Sequence, residues 1–376
     1  MSDKVKNFQR IMESVDALRE NLSEEDVIQS IQDISERTLY FYGKLAGANL
    51  QSMLIGEELG GEGLTYSQSG VVLENLSYDL IGALPSLITT LHCVELIKLA
   101  PDSEQKENLL QQVMNDHRPL AFCLTEEGAG SDIGGIKCTA LQTKKDIRLR
   151  GNKSVVISST VAQMFLVFAT TARDRGRAGI NVFAVQPGTE GVIIDTPYPL
   201  DGFQNSVIGS VEFKNVSLSG ENRLSGEGTG YFQLIEVLDK GRPLVAASCV
   251  GAAQKVMDTI VRYTKKRSQF NMPLNHFQGI TFPLAEYATR LHAARLLYRD
   301  ALKKIDDGDP FTMEASMAKH YASMLLEDLA SFGMEVLGYR GMAQQNPVKR
   351  IYHDAQLLKS IDGTANVQRM IIASQL

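Results

Sequence analysis

Residues 121–132, AFCLTEEGAGSD, join an apolar run to a glycine-rich turn. The run ends at Thr125, and Gly-Ala-Gly-Ser over 128–131 predicts a loop. Glycines there admit positive φ and let backbone N–H groups approach a ligand closely. With the hydroxyls of Thr125 and Ser131, the loop suits a cofactor that carries a phosphate and a polar ring edge. A turn of this composition is also common without any ligand, so the rest of the chain must decide.

Two further segments combine a predicted helix end with a cation or with small residues. Residues 266–270, KRSQF, place Arg267 near an aromatic ring, and Gln278 follows. The arginine suits a pyrophosphate and the ring suits a heterocycle, although a solvated helix end has the same composition. Gly338 and Gly341 interrupt the last helices and permit close backbone approach.

Asp362 is the one carboxylate of the C-terminal stretch 360–369, SIDGTANVQR. It stands before Gly363, and Thr364 and Asn366 then form a polar cap for a terminal helix. A carboxylate held on such a turn is a candidate general base. The alternative is that it only caps the last helix.

Composition limits the class of protein. The chain has 376 residues, 44% of them apolar and 22% charged, with a net charge of −6. It has no block of lysine and arginine, which argues against nucleic acid or an anionic membrane as a partner. The four cysteines form no CxxC pair, which favours a reducing compartment and no metal site. Without a signal-peptide core or a run of about 18 apolar residues, we expect a soluble cytoplasmic protein.

The texture of the sequence predicts three domains. Residues 1–118 show the apolar spacing of helices. Residues 119–225 change to short strand-like runs separated by turn signals, which predicts a small β-barrel or sandwich. Residues 226–376 return to long amphipathic helices that pack as a bundle. The predicted fold class is therefore α+β.

Individual elements follow from the same patterns. Val27, Ile31 and Ile34 predict one helical segment, and Gly151-Asn152 predicts a turn between two strands. The predicted strands are 147–149, 154–157, 164–169, 180–185, 192–195 and 210–213. The predicted longer helices are 69–83, 85–99, 231–238, 245–267, 282–306 and 312–337.

Together these stretches resemble the acyl-CoA dehydrogenase family. Its (V/L)TEPGAGSD motif is matched by LTEEGAGSD at 124–132, and its EGTxxxQ motif by DGTANVQ at 362–368. The family's arginine, phenylalanine and glutamine on the first long C-terminal helices are matched by Arg267, Phe270 and Gln278. The likeness covers about residues 10–376, and the family has the same order of helices, β domain and helices.

The resemblance implies a bound FAD in a cleft between the β domain and the C-terminal bundle. The residues expected along it are Phe122, Leu124, Thr125, Gly130, Ser131, Val155, Ile157, Thr364 and Asn366. The residues expected to reach a neighbouring subunit's FAD, as in a homodimer or homotetramer, are Arg267, Phe270, Gln278, Glu335 and Gly338. The residues expected beside the thioester are Ser131, Asp239, Arg242 and Gly363.

Asp362 stands where the family usually has the glutamate that removes the α-proton while a β-hydride passes to the flavin. Aspartate is shorter by one methylene, and a carboxylate misplaced by about 1 Å can cost about a hundredfold in rate. The family's other position for the base is matched by Gly241, which has no side chain to serve. We therefore expect a shifted substrate or a reduced activity.

The wall beside the flavin also departs from the family. Where the family has Trp-Ile-Thr, this chain has Val155-Val156-Ile157, and it contains no tryptophan. Ile157 has no side-chain donor for the flavin, although its backbone N–H can donate. Glu127 replaces the family's proline beside the phosphate-binding turn, and we expect it to face solvent.

These departures resemble members that act on acyl carrier protein thioesters in polyketide and nonribosomal peptide pathways. One set oxidises the hydroxyl carbon of a glyceryl or seryl thioester on the way to hydroxymalonyl or aminomalonyl extender units. We expect Asp362 to take a hydroxyl proton or an α-proton from such a group, and a separate electron acceptor to reoxidise the flavin. One alternative is a short-chain acyl-CoA dehydrogenase that uses a CoA thioester. The other is a flavin-binding protein without dehydrogenase activity.

Overall fold

The structure, a computed structural model, describes residues 3–343 and 346–376. Met1 and Ser2, which belong to the predicted domain 1–118, lie outside the described residues. Helices, then a mixed β-sheet, then helices follow one another along the chain. The predicted α+β class is confirmed.

The N-terminal helices begin at polar caps. Ser23, Asp33, Thr65 and Ser103 each accept a hydrogen bond from a backbone N–H of the first turn. The prediction of one helix through Ile31 is wrong, because one helix ends at Ser30 and Asp33 caps a new helix that begins at Ile34. The helices are α1 (Asp3–Asn21), α2 (Glu24–Ser30), α3 (Ile34–Gly47), α4 (Tyr66–Leu80), α5 (Leu84–Lys98) and α6 (Glu104–Asn115).

Helices α4 and α5 form the centre of the N-terminal part. Two stretches, Tyr66–Lys98 and Gly230–Lys266, are long and apolar enough to cross a membrane. Their most apolar windows are 100% and 72% buried within the protein, which is typical of core helices. Residues Leu84 to Ile97 of α5 are all buried, so any polar side chain on α5 must find its partners inside the protein.

The middle part is a seven-stranded mixed sheet. Its strands are β1 (Leu120–Cys123), β2 (Thr139–Gln142), β3 (Ile147–Ile157), β4 (Met164–Thr170), β5 (Ile180–Val185), β6 (Val192–Ile194) and β7 (Ile208–Leu218). β4 pairs in parallel with β1 and antiparallel with β5, while β2, β3, β7 and β6 continue the sheet. Sequence analysis missed β2, because its two exposed residues are adjacent and give no alternation.

The predicted turn at Gly151 is wrong, because β3 runs straight through it. A Cβ at Gly151 would lie 2.7 Å from the Cα of Cys138, and the residue has a φ of +152°. Glycine therefore serves here to let β3 cross the neighbouring chain closely, not to turn.

The C-terminal helices pack on one another and on α4. The predicted helices 231–238 and 245–267 are one continuous helix, α7, which contains Pro243. An interior proline costs about 3 kcal/mol or more, and packing of α7 against α4 and α9 on both sides opposes that cost. The helices are α7 (Gly230–Lys266), α8 (Gln278–Asp307), α9 (Thr312–Leu337), α10 (Pro347–Leu358) and α11 (Ala365–Gln375). A short hairpin, β8 (Ser268–Gln269) with β9 (Met272–Pro273), joins α7 to α8.

Candidate active site

The predicted cofactor loop leaves the end of β1. The backbone of Glu126 exchanges two hydrogen bonds of 3.1 Å with that of Ala129, which closes a tight turn. The Ser154 N–H donates to the Thr125 carbonyl at 2.9 Å, which ties the loop to β3. The loop is therefore fixed at both ends to the sheet.

A fully buried lysine, which sequence analysis did not single out, supports this loop from beneath. Lys153 on β3 donates from Nζ to the Leu124 carbonyl at 2.9 Å and to Glu126 Oε1 at 2.8 Å. The Glu126 carboxylate also accepts from the backbone N–H groups of Lys137 and Cys138 at 2.6 and 3.0 Å. Because every bond involves a buried charge, the network holds the loop in one conformation.

The two loop glycines do not take the positive φ that the sequence suggested, so that expectation is wrong. A Cβ on Gly128 or Gly130 would meet no atom within 4 Å, which leaves open space over the backbone. Gly130 and Ser131 are exposed on this open side. Glu127 is also exposed, as predicted. An anion can therefore approach bare backbone and a hydroxyl here.

An apolar wall lies beside the loop on β3. Val155 is 45% exposed and Ile157 is half-buried, although both lie on β3, a central strand of the sheet. Phe122 at the end of β1 packs its ring 4.9 Å from that of Phe168 and 6.3 Å from that of His92. An uncovered valine beside an open polar loop fits a flat cofactor with a phosphate tail.

The hairpin between α7 and α8 carries the predicted arginine and phenylalanine. Phe270 sits at the turn with a φ of +49° and is 87% exposed, with its ring 6.3 Å from that of Phe277. Arg267 is half-buried and Gln278 is exposed. Within residues 3–343 and 346–376, no hydrogen bond or ion pair connects these three side chains to the 124–131 loop.

A second exposed segment lies at the C-terminal end of α9, as the hairpin lies at the C-terminal end of α7. Glu335 is exposed on the last turn of α9. Gly338 follows with a φ of +58°, and a Cβ there would meet nothing within 4 Å. Like the hairpin, this segment shares no hydrogen bond or ion pair with the 124–131 loop within residues 3–343 and 346–376.

The loop that carries Asp362 lies between α10 and α11. Asp362 has a φ of +52° and Gly363 one of +91°, so the chain turns through two left-handed residues. Lys319 Nζ, buried inside α9, donates to the carbonyls of Lys359 and Gly363 at 2.9 and 2.7 Å. Gln368 Nε2 donates to the carbonyls of Asp362 and Gly363 at 3.0 Å each. Burial lowers the pKa of Lys319 to about 8, partly opposed by the Asp362 carboxylate.

Thr364 caps the N-terminus of α11, as predicted. Its hydroxyl accepts from the Val367 N–H at 3.4 Å. Asn366 is exposed in the first turn, where its side chain accepts from Arg369 Nη1 at 2.9 Å. The helix end thus offers backbone donors and polar side chains to an anion.

His92 faces Asp362, and this contact was not predicted from the sequence. His92 Nε2 lies 3.3 Å from Asp362 Oδ2, and both side chains are almost buried. Neither atom has a hydrogen-bond partner. Gly241 on α7 stands against the ring, because a Cβ there would lie 2.0 Å from Nε2.

A second buried ionisable side chain follows His92 on α5. Glu95, one turn after His92, is 4% exposed. Its carboxylate lies 2.5 Å from Lys98 Nζ and 3.7 Å from Lys240 Nζ. Burial, and then the nearby Glu95 carboxylate, raise the pKa of Tyr66 far above its ordinary value. Two adjacent positions of α7, 240 and 241, therefore face a row of ionisable side chains.

Asp239 and Arg242 form a buried ion pair within one turn of α7. Thr312 Oγ1 on α9 donates to Asp239 Oδ2 at 2.8 Å, and Arg242 Nη1 lies 3.5 Å from Ser316 Oγ. The pair fixes the start of α9 against α7, while Arg242 Nε has no partner.

Metal ligands do not gather in the described part of the chain. Across residues 3–343 and 346–376, no three histidine, cysteine, aspartate or glutamate residues could together hold an ion. The four cysteines are free and buried, and burial raises the pKa of each thiol.

Known proteins resemble the chain over nearly its whole length. Three family models match it: Acyl-CoA dehydrogenase, N-terminal domain over residues 12–117; middle domain over 121–216; and C-terminal domain over 228–376. The mitochondrial short-chain specific acyl-CoA dehydrogenase of Rattus norvegicus is 33% identical over 336 residues, which cover 89% of this chain and 81% of that protein.

Solved structures give the same result. Butyryl-CoA dehydrogenase from Megasphaera elsdenii matches with a TM-score of 0.89 and 27% identity, over 100% of this chain and 98% of that one. The prolyl acyl carrier protein oxidase AnaB shares the fold, with a TM-score of 0.88 and 24% identity over 100% and 99% of the two chains. The chain therefore belongs to the acyl-CoA dehydrogenase family of oxidoreductases, and its cofactor is FAD.

Proposed function

We propose that the protein oxidises a short polar acyl thioester carried by an acyl carrier protein, such as a seryl or glyceryl group, in making extender units for polyketides or nonribosomal peptides. The observation that carries the proposal is the buried imidazole of His92 beside Asp362. His92 and Glu95 are buried on α5, where a fatty acyl chain would need apolar neighbours. A hydroxyl or amino group finds hydrogen-bond partners there.

FAD is proposed to lie between the 124–131 loop and the C-terminal helices. The open backbone at Gly130 and the exposed Val155 support this position. The residues proposed to hold it are Phe122, Leu124, Thr125, Gly130, Ser131, Val155, Ile157, Thr364 and Asn366. The exposed hairpin and the end of α9 are proposed to contact the FAD of a second subunit through Arg267, Phe270, Gln278, Glu335 and Gly338, in a cytoplasmic homodimer or homotetramer.

Bound FAD would supply the hydride acceptor for the substrate carbon that is oxidised. Asp362 takes the proton that leaves the hydroxyl group or the α-carbon. Lys319 and Gln368 hold the backbone on which Asp362 stands, so the carboxylate does not drift between turnovers. Asp239 and Arg242 are proposed to stand beside the thioester arm together with Ser131 and Gly363.

The proposal is tested by anaerobic mixing of the FAD-loaded protein with glyceryl-carrier protein, seryl-carrier protein and butyryl-CoA. We expect a carrier-protein thioester to bleach the flavin band faster than butyryl-CoA does. Asp362→Asn should retain FAD and lose at least about a hundredfold in the rate of bleaching, the low end for removal of a general base. Undiminished bleaching in this variant would remove Asp362 from the mechanism.

The short-chain acyl-CoA dehydrogenase alternative is favoured by the relative from rat, which is 33% identical. Asp362→Glu separates the two readings. If the shorter side chain matches a displaced tethered substrate, glutamate impairs the carrier-protein reaction. If the protein is an acyl-CoA dehydrogenase with a weakened base, glutamate improves turnover of butyryl-CoA.

The alternative without dehydrogenase activity draws on Gly241, where the family's other base position has no side chain. It predicts that FAD binds tightly and that no thioester bleaches it. A panel of CoA and carrier-protein thioesters, followed by mass spectrometry of the acyl group, decides between this protein class and the enzymes.

A further inference from the structure

The contact between His92 and Asp362 goes beyond the proposed function, on which it rests. We propose that His92 is the positioning residue of Asp362, and that Gly241 is a glycine because the imidazole occupies the space of its side chain. The three residues come from α5, α7 and the loop before α11. Together they fix where the base stands.

The first support is the isolation of the pair. His92 Nε2 and Asp362 Oδ2 are 3.3 Å apart, and neither atom makes a hydrogen bond in this structure, to the other or to a third group. A buried polar atom left without a partner destabilises the fold. Two such atoms facing each other remove that cost once the imidazole donates to the carboxylate. The ring thereby holds one carboxylate oxygen and leaves the other for the substrate.

The second support is the space at position 241. A Cβ on Gly241 would lie 2.0 Å from Nε2, 2.7 Å from Cδ2 and 3.0 Å from Cε1 of His92. Any side chain there would displace the ring, because α7 is buried on both sides and cannot move away. An imidazole at 92 and a carboxylate at 241 exclude each other, so the base is restricted to Asp362.

The third support is the length of the base. A glutamate at 362 would extend about 1.5 Å further, towards an imidazole only 3.3 Å away. The φ of +52° at Asp362 adds to this, because short side chains such as aspartate tolerate the left-handed region better than long ones. Aspartate is therefore matched to His92 and is not a shortened glutamate.

The test uses the FAD-loaded protein and whichever of glyceryl-carrier protein, seryl-carrier protein and butyryl-CoA reduces the wild-type flavin. His92→Ala should keep FAD and lower the rate constant of flavin reduction about a hundredfold, as expected for a carboxylate displaced by about 1 Å. The concentration for half-maximal rate should change less than threefold. His92→Gln, whose amide can still donate, should lose only about tenfold.

Gly241→Ala completes the argument as a double-mutant cycle. We expect it to cost about as much as His92→Ala in the wild type and almost nothing in the His92→Ala background, where the ring is gone. His117→Ala is the matched control for His92→Ala, because His117 is exposed in the loop before β1. Equal costs of Gly241→Ala in both backgrounds would overturn the proposal.

A crystal structure of FAD-loaded His92→Ala gives a readout that needs no substrate. We expect the Asp362 carboxylate to leave its place against position 92, and an unmoved carboxylate refutes the positioning role. The proposed function and the role of His92 can be refuted separately. If the flavin of Asp362→Asn is still reduced by substrate at the wild-type rate, the proposed function loses its base. If Asp362→Asn loses flavin reduction while His92→Ala and Gly241→Ala keep the wild-type rate, only the positioning role of His92 is refuted.

Discussion

A buried carboxylate at the junction of the three parts of the chain makes the stability of this protein depend on pH. Glu24 at the start of α2 is fully buried, and its Oε2 lies 2.8 Å from Arg350 Nη2 on α10. On the same helix, Asp354 Oδ1 accepts from the Phe203 N–H of the middle part at 2.6 Å. Burial raises the pKa of Glu24 from 4.5 to about 7, and Arg350 offsets this only in part.

The magnitude follows from the two pKa values. The folded carboxyl holds its proton up to about pH 7, whereas the unfolded one releases it near 4.5. Between these values the folded state binds more protons, so the free energy of unfolding falls as pH rises. A gap of about 2.5 pH units corresponds to about 3 kcal/mol. This stability is fully present below pH 4.5 and lost above pH 7.

Glu24→Gln removes this dependence. Its free energy of unfolding, minus that of the wild type, should rise by about 3 kcal/mol between pH 4 and pH 8. The measurement is urea unfolding of the FAD-loaded protein at several pH values, with protein and FAD concentrations held constant. Burial also raises the pKa of Asp354 to about 6, and this contribution is present in both proteins.

The matched control is Glu25→Gln. Glu25 pairs with the same guanidinium through Arg350 Nη1, but its side chain is 26% exposed. The control shows what loss of an Arg350 partner does by itself. A Glu24→Gln difference that stays constant from pH 4 to pH 8, or an equal slope in the control, would refute the reasoning.

Three other substitutions test the supports of the site. Lys153→Met leaves the Glu126 carboxylate buried without its cation, so we expect the free energy of unfolding to fall by about 3 kcal/mol. We also expect this variant to lose FAD on gel filtration. If it retains FAD as the wild type does, Lys153 does not anchor the 124–131 loop for cofactor binding. Lys319→Met removes a donor to the Gly363 carbonyl and should slow flavin reduction about tenfold with FAD retained. Arg267→Ala should weaken FAD binding at least about tenfold while the circular dichroism stays unchanged; equally tight FAD would disprove its assignment.

The sequence predicted the class of fold well because its apolar periodicities are strong. It failed at positions where a residue acts through tertiary contact. Gly151 is a residue type typical of turns, but here the absence of a Cβ lets β3 pass close to the backbone of Cys138. Pro243 has the composition of a helix boundary, but α7 continues because it is packed along its length. Local propensity gives way to packing at both positions.

The site was predictable where a motif is continuous in sequence, as in 124–132 and 362–368. His92 was not, because it is a single histidine in an apolar helix and its partners, Asp362 and Gly241, are remote in sequence. The available signal was weak: His92 and Glu95 share one face of α5, and they are the only ionisable residues of that helix other than Cys93 and the terminal Lys98. A buried helix rarely carries two ionisable residues one turn apart without a reason.

Helix α7 connects Gly241, which lies against His92, to the hairpin β8–β9 as one continuous helix. Its 37 residues span about 55 Å at 1.5 Å per residue, and the part from Gly241 to Lys266, where the hairpin begins, accounts for about 38 Å of that length. One inserted or deleted residue between these points would swing the hairpin by about 100° around the helix axis. A change of chain length that keeps both Gly241 and the hairpin in place must therefore fall in a loop outside this part of α7.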